Sequence, residues 1–221
     1  MAMSGSAKKR VGILLSGRGS NMAALVEAMQ ADPAFPAEPA LVLSNRADAA
    51  GLDFAAGRGV ATAVVDHKPF GKDREAFEHA LDSRLRGAGV ELVCLAGFMR
   101  LLTPWFVEQW RDRLINIHPS LLPSFKGLHT HERALAAGVR LHGCTTHFVR
   151  AEMDAGPIIG QAVVPILPGE DPDTLAARVL TMEHRLYPLA LRMVAAGTVR
   201  VENELALFDP PETAREALLL G

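Results

Sequence analysis

An amide and an imidazole two residues apart are the first groups in this chain that could do chemistry. Asn116-Ile117-His118-Pro119 closes the apolar run that starts at Leu114. If that run is a strand, its period of two puts both side chains on one face at the strand's C-terminal end. In open α/β sheets that edge is where ligands bind. An amide donor and a protonated imidazole there suit an oxygen that gains negative charge during a reaction. The same two groups also suit the plainer task of satisfying loop backbone. Asp154, just before Gly156-Pro157, can supply a third group, because a nearby carboxylate favours the imidazolium and can hold a proton-relaying water. Aspartate at that position is equally at home as a turn former.

A second element is Ser16-Gly17-Arg18-Gly19-Ser20-Asn21, between the apolar run Val11 to Leu15 and a helical pattern from Met22 to Gln30. Strand, glycine loop and helix in that order present backbone N–H groups and the positive end of a helix dipole to an anion. The loop lacks the Gly-Lys-Ser/Thr ending of a P-loop and the third glycine of the dinucleotide fingerprint. Ser44-Asn45, at the end of the next strand, offers no carboxylate to a ribose. These absences favour a single phosphate monoester over NAD or a nucleoside triphosphate. A tight turn that uses its glycines for φ freedom is the other reading.

The elements that must carry these groups alternate. Strands are expected at Ala40 to Leu43, Ala61 to Val65 and Leu92 to Ala96. Helices are expected around Ala49 to Gly57 and at Arg74 to Arg86. A short helix at Pro104 to Trp110, the Leu114 to His118 strand and a proline-rich loop through Gly127 follow. A helix is then read from His131 to Ala137. His142 to Val149 and Ile158 to Pro165 read as an antiparallel edge pair around the Asp154 to Pro157 turn. A long helix runs from Asp171 to Ala196, with Asp171 as cap to Pro172. The pattern predicts a single-domain α/β protein with a mostly parallel twisted sheet and helices on both faces. The expected organisation is a disordered start over residues 1–9, one domain over 10–203, and a tail over 204–221 that can hold a short helix.

Composition narrows the partners. The 221 residues are 49% hydrophobic and 22% charged, enough for a sizeable core. With 23 basic against 25 acidic residues, no summed positive field holds a polyanion. Small-molecule substrates are expected, with no nucleic acid and no membrane. Cys94 and Cys144 show no CxxC spacing and read as reduced thiols. The first apolar run is too short for a signal segment, so a cytoplasmic protein is expected, as a monomer or a homodimer.

The ordered motifs resemble those of the folate-dependent formyltransferases. They are the Ser16 to Asn21 loop, Ala96-Gly97-Phe98-Met99-Arg100, Asn116 to Pro123 (Asn-Ile-His-Pro-Ser-Leu-Leu-Pro), Gly127 to His131, and Met153 to Pro157. The resemblance runs from about Val11 to Val201 and implies the formyltransferase fold with a Rossmann-like N-terminal half. It implies transfer of the formyl group of 10-formyltetrahydrofolate, as co-substrate, to the amine of 5-phosphoribosylglycinamide in purine synthesis. Asn116, His118 and Asp154 become the catalytic residues. Gly19, Ser20, Asn21 and Glu183 become ribonucleotide contacts. Arg74, Met99, Arg100, Leu101, Leu102 and Asn116 become folate contacts. One departure is Arg18, where a smaller polar residue such as asparagine is expected.

Two alternatives share the catalytic motifs. One is a formyltetrahydrofolate hydrolase and the other a transferase acting on tRNA. Both carry a further domain for which the chain has no room. His129, His131, His142 and His147 lie close in sequence, but His142 and His147 differ by an odd number along a strand and nothing completes a zinc set. No metal is expected. Phe98 and Met99 are expected to line the pocket.

Overall fold

The structure is a computed structural model that describes residues 7–220. Most of the expected disordered start therefore lies outside the described residues. The chain is of the α/β class and divides in sequence between Met99 and Arg100 into two compact units.

The first unit alternates strand and helix. β1 (Lys9–Leu15), α1 (Ser20–Ala31), β2 (Ala37–Ser44), α2 (Ala50–Gly57), β3 (Thr62–Val64), α3 (Arg74–Gly87) and β4 (Leu92–Leu95) follow in order. Its strands lie in the order β4-β1-β2-β3, all parallel. Parallel strands covered by helices have no polar face, which is why Val11 to Leu15 and Leu92 to Leu95 are buried without interruption. α3 presents Phe77, Leu81 and Leu85 as one buried stripe at four-residue spacing. The Asp73 carboxylate caps it by accepting from the Ala76 N–H at 3.0 Å. β2 starts three residues before the expected Ala40, because Ala37 and Glu38 already pair with Lys9 and Arg10 of β1. α1 starts at Ser20 rather than Met22, since Gly19 takes the N-cap position in a left-handed conformation.

The second unit begins with α4 (Pro104–Gln109) and β5 (Leu114–His118), then α5 (Thr130–Ala136), β6 (Leu141–Phe148), β7 (Ile158–Pro165) and α6 (Pro172–Ala196). β5 to β7 are antiparallel neighbours. α6 begins where its Asp171 carboxylate accepts from the Thr174 N–H at 2.9 Å. It buries a stripe that includes Leu175, Val179, Met182, Leu186 and Ala190. The Tyr187 hydroxyl donates to the Ile115 carbonyl at 3.1 Å, tying α6 to β5. Among the described residues, no helix is long and apolar enough to cross a membrane.

Three expectations about this unit change. The boundary expected at 203 falls in the turn of a hairpin formed by β8 (Val199–Glu202) and β9 (Leu205–Phe208). The tail does more than form a short helix: after a 3-10 turn at Pro211–Arg215, β10 (Leu218–Leu220) adds in parallel to β7. β7 is consequently an interior strand, and the connection from β6 is a nine-residue loop rather than a tight turn. Three consecutive leucines carry no period, so pattern alone does not separate such a strand from a helix.

A ring cluster fills the start of β6. The His142 ring, fully buried, lies edge-on to Phe125 and His131, with centroids at 5.9 and 5.2 Å. Burial, with the His131 ring beside it, pushes the His142 imidazole down to about 4, whereas a free histidine titrates near ~6.5. Between those values the unfolded chain holds a proton that the folded chain does not, so stability falls as pH drops through that window. His142 alone is expected to remove about 3 kcal/mol between pH 7 and pH 4. His142→Phe should flatten this part of the curve, measured by urea unfolding at a series of pH values. Equal slopes in the two proteins would show that His142 does not carry the dependence.

Candidate active site

β5 delivers Asn116 and His118 as expected, two residues apart at its C-terminal end. Its antiparallel partner β6 sets Asn116 opposite His147 and His118 opposite Thr145. Thr145 then holds the loop that leaves β5. Its hydroxyl donates to the Ser120 carbonyl at 2.7 Å and accepts from the Leu122 N–H at 3.0 Å. Gln161 of β7 adds a donor to the Leu122 carbonyl at 2.9 Å. The first turn of the proline-rich loop is thus fixed by two strands rather than by its own prolines.

Asp154 reaches the same place from the loop between β6 and β7. Its φ of 51° is left-handed, a conformation aspartate tolerates better than most residues. One carboxylate oxygen accepts from the Gly127 N–H at 2.8 Å and lies 3.5 Å from His118 Nδ1. The other lies 4.0 Å from His147 Nε2. The side chains are nearly out of solvent, at 8% exposure for His118, 11% for Asp154 and 2% for His147. On its far side, His118 Nε2 is 3.1 Å from the Phe125 carbonyl. Both ring nitrogens therefore face acceptors, which suits an imidazolium with its two N–H donors. The Asn116 amide is 3.3 Å from His147 Nε2, and His147 Nδ1 donates to the Phe148 carbonyl at 2.9 Å. Burial lowers the His147 imidazole below its ordinary value.

The glycine loop forms a separate feature in the first unit. Ser16 to Asn21 line a cavity of about 180 Å³ together with Ala96, Gly97 and Met99. Gly19 has φ 76° and accepts the first helical hydrogen bond, from Ala23 at 2.8 Å. The N–H groups of the first turn of α1 have no acceptor inside the helix, and Gly19, Ser20 and Asn21 at that turn line the cavity. Ser16 braces the cavity floor. Its hydroxyl donates to Asn45 Oδ1 at 2.6 Å and accepts from the Met99 N–H at 2.9 Å.

The structure brings Gly19, Ser20 and Asn21 together with Met99, and separately gathers Asn116, His118 and Asp154. Met99 and Leu101 are exposed, Arg100 and Leu102 are half-buried, and Arg74 is exposed at the first position of α3. Phe98, expected to line the pocket, is 9% exposed and belongs to the core. Glu183 lies on the buried face of α6. Burial, and secondarily the Glu183 charge, raises the Cys144 thiol, which fits its reading as an inert strand residue. His129 pairs with Glu132 on the surface at 3.4 Å, apart from the buried His131–His142 contact. Sequence reasoning missed Asn45, Thr145, Gln161 and His147 as supports of the site. Each acts across a strand pairing whose register the sequence does not print.

Comparisons with known proteins give the chain its family. The formyl transferase family profile matches residues 9–191. The phosphoribosylglycinamide formyltransferase of Escherichia coli K12 is 42% identical over 90% of this chain and 95% of its own. The trifunctional purine biosynthetic protein adenosine-3 of Bos taurus is 48% identical over 88% of this chain, which spans only 19% of that protein's length. The crystal structure of glycinamide ribonucleotide transformylase 1 from Symbiobacterium toebii superposes with a TM-score of 0.87 at 42% identity, covering 92% of this chain and 98% of that one. With one family profile and one full-length bacterial relative spanning nearly all of it, this chain belongs to the formyl transferase family.

Proposed function

We propose that this chain transfers the formyl group of 10-formyltetrahydrofolate to the amine of 5-phosphoribosylglycinamide, yielding formylglycinamide ribonucleotide and tetrahydrofolate in purine synthesis. The observation that carries the reading is the gathering of Asn116, His118 and Asp154 at the end of β5, with the carboxylate 3.5 Å from the imidazole. The small soluble substrates fit a cytoplasmic enzyme working as a monomer or a homodimer.

The chemistry follows from charge. The substrate amine attacks the formyl carbon, a C–N bond forms, and the carbonyl oxygen becomes an oxyanion. The Asn116 amide offers it an N–H donor, and a protonated His118, whose two ring nitrogens already face acceptors, offers it positive charge. The bond from the formyl carbon to the folate nitrogen then breaks. The attacking amine loses one proton and the leaving nitrogen gains one, so the exchange balances. His118 moves that proton directly or through a water held by Asp154. The transfer is direct, with no covalent enzyme intermediate and no metal-activated water.

In this reading Gly19, Ser20 and Asn21 hold the ribonucleotide phosphate, and Glu183 serves the glycinamide end. Arg74 and Met99 to Leu102 serve the folate, whose glutamate carboxylates suit Arg74 and Arg100. Incubation with both substrates, following tetrahydrofolate and the formylated product, tests the activity. Release of free formate without formylated product would replace the transferase by a hydrolase.

Dephosphorylated substrate is expected to bind far more weakly than the phosphate monoester. Equal affinities in calorimetry would remove the glycine loop from substrate binding.

Asn116→Ala is expected to lower kcat by about 10² to 10³ while both KM values change little. An unchanged kcat with a folate KM raised by a similar factor would make Asn116 a binding residue only.

Asp154→Asn separates charge from shape. Asparagine tolerates the same left-handed backbone, and its amide oxygen can still accept from the Gly127 N–H. A role confined to the turn predicts a silent substitution. Loss of the charge beside His118 predicts a kcat lower by about 10² with the fold intact. A melting temperature and a kcat both near wild type would take Asp154 out of the mechanism.

A further inference from the structure

His147 takes no step in the chemistry above, but it is the cross-strand partner of Asn116. Its Nδ1 lies 2.9 Å from the Phe148 carbonyl. A carbonyl only accepts, so Nδ1 carries the proton. A neutral imidazole has one N–H, which leaves Nε2 as a lone pair 3.3 Å from the Asn116 amide nitrogen. That lone pair discriminates between the two ends of the Asn116 amide. With the nitrogen toward His147, one N–H is bonded and the second points elsewhere. With the oxygen toward His147, two lone pairs oppose each other and the amide presents its acceptor where a donor is needed.

We propose that His147 is a positioning residue that fixes the Asn116 amide, so that a donor and not an acceptor meets the oxygen of the transferred formyl group. The inference rests on the reading of Asn116 as an oxyanion donor. Its physical requirement is that His147 remain neutral. Burial favours this, as do the neighbouring Lys126 and any charge on His118, against the Phe148 carbonyl and the Asp154 carboxylate, which favour the proton. At 2% exposure the ring is also shut off from the water that would otherwise compete for Nε2.

Two substitutions split the ring's two hydrogen bonds. His147→Asn keeps a donor near the Nδ1 position for the Phe148 carbonyl but has no acceptor that reaches Asn116. His147→Gln places an amide oxygen near the Nε2 position and gives up the Phe148 bond. The experiment measures the single-turnover rate of formyl transfer, with KM for each substrate, in both variants and again in an Asn116→Ala background. His147→Asn is expected to slow transfer on the order of tenfold or more, with KM values little changed, while His147→Gln stays within about threefold of wild type. Neither should slow the Asn116→Ala enzyme further, because the group they position is gone.

A purely structural role gives the opposite pattern, with His147→Asn silent and His147→Gln impaired, and that result would overturn the proposal. Equal losses with and without Asn116 would do the same. Histidine ¹⁵N NMR of the unaltered protein gives an independent check, since a ring protonated at Nε2 contradicts the proposal without any variant. If Asn116→Ala alone keeps full kcat, the reading of Asn116 has failed rather than the hydrogen bond that orients it.

Discussion

A carboxylate taken almost out of water has to be met by donors, and Asp154 is such a carboxylate. Its nearest donor is the Gly127 backbone, which sits in the loop leaving β5, while Asp154 itself sits in the loop leaving β6. The contact therefore closes two loops on one another, and His118 lies between them with a ring nitrogen toward each. Its Nδ1 faces the carboxylate and its Nε2 faces the Phe125 carbonyl. Losing the Gly127 bond would release the loop and the carboxylate together.

Such an arrangement holds only if both loops are anchored at their far ends. Thr145 and Gln161 anchor the first. Arg150 anchors the second: its guanidinium donates to Asp112 at 2.7 Å and to Glu204 at 2.6 Å, and Arg111 joins Glu204 as well. Glu204 is the turn of the β8–β9 hairpin, so the C-terminal segment helps hold the loop that carries Asp154. Backbone packing adds to this at Gly156, where a Cβ would meet the Phe148 carbonyl at 1.7 Å. Isolated surface ion pairs contribute little, but the Arg150 side chain is only 11% exposed and bridges two carboxylates, a case closer to a network.

The alternation of buried runs with amphipathic helices was legible residue by residue in the first unit, because parallel strands and their crossover helices write different periods into the chain. The Asn116–His118 pair was legible for the same reason: a strand period of two is a local property. The partners of that pair were not. His147 stood in the sequence as one of four neighbouring histidines and read as a rejected metal ligand. Only the β5–β6 register, which sets His147 opposite Asn116, makes it the neighbour of Asn116. Asn45 was noticed for lacking a carboxylate, while its actual contact, the Ser16 hydroxyl, lies across a strand pair. Leu218 to Leu220 were missed as a strand since their role depends on β7 offering an edge.

The two functional features also differ in what they ask of the sequence. The cluster around Asp154 works through side chains, and each of its members has a donor or acceptor role that few residue types can fill. The glycine loop is constrained through its backbone. At φ 76°, with a Cβ that would lie 3.0 Å from the Gly51 Cα, Gly19 is held by conformation and close approach together. Gly51 is constrained in return, its N–H donating to the Gly17 carbonyl at 3.2 Å. Position 18 meets neither constraint: its side chain is exposed at the cavity rim. Arg18 can therefore sit in the loop without disturbing its backbone N–H groups, and its guanidinium adds positive charge beside the cavity.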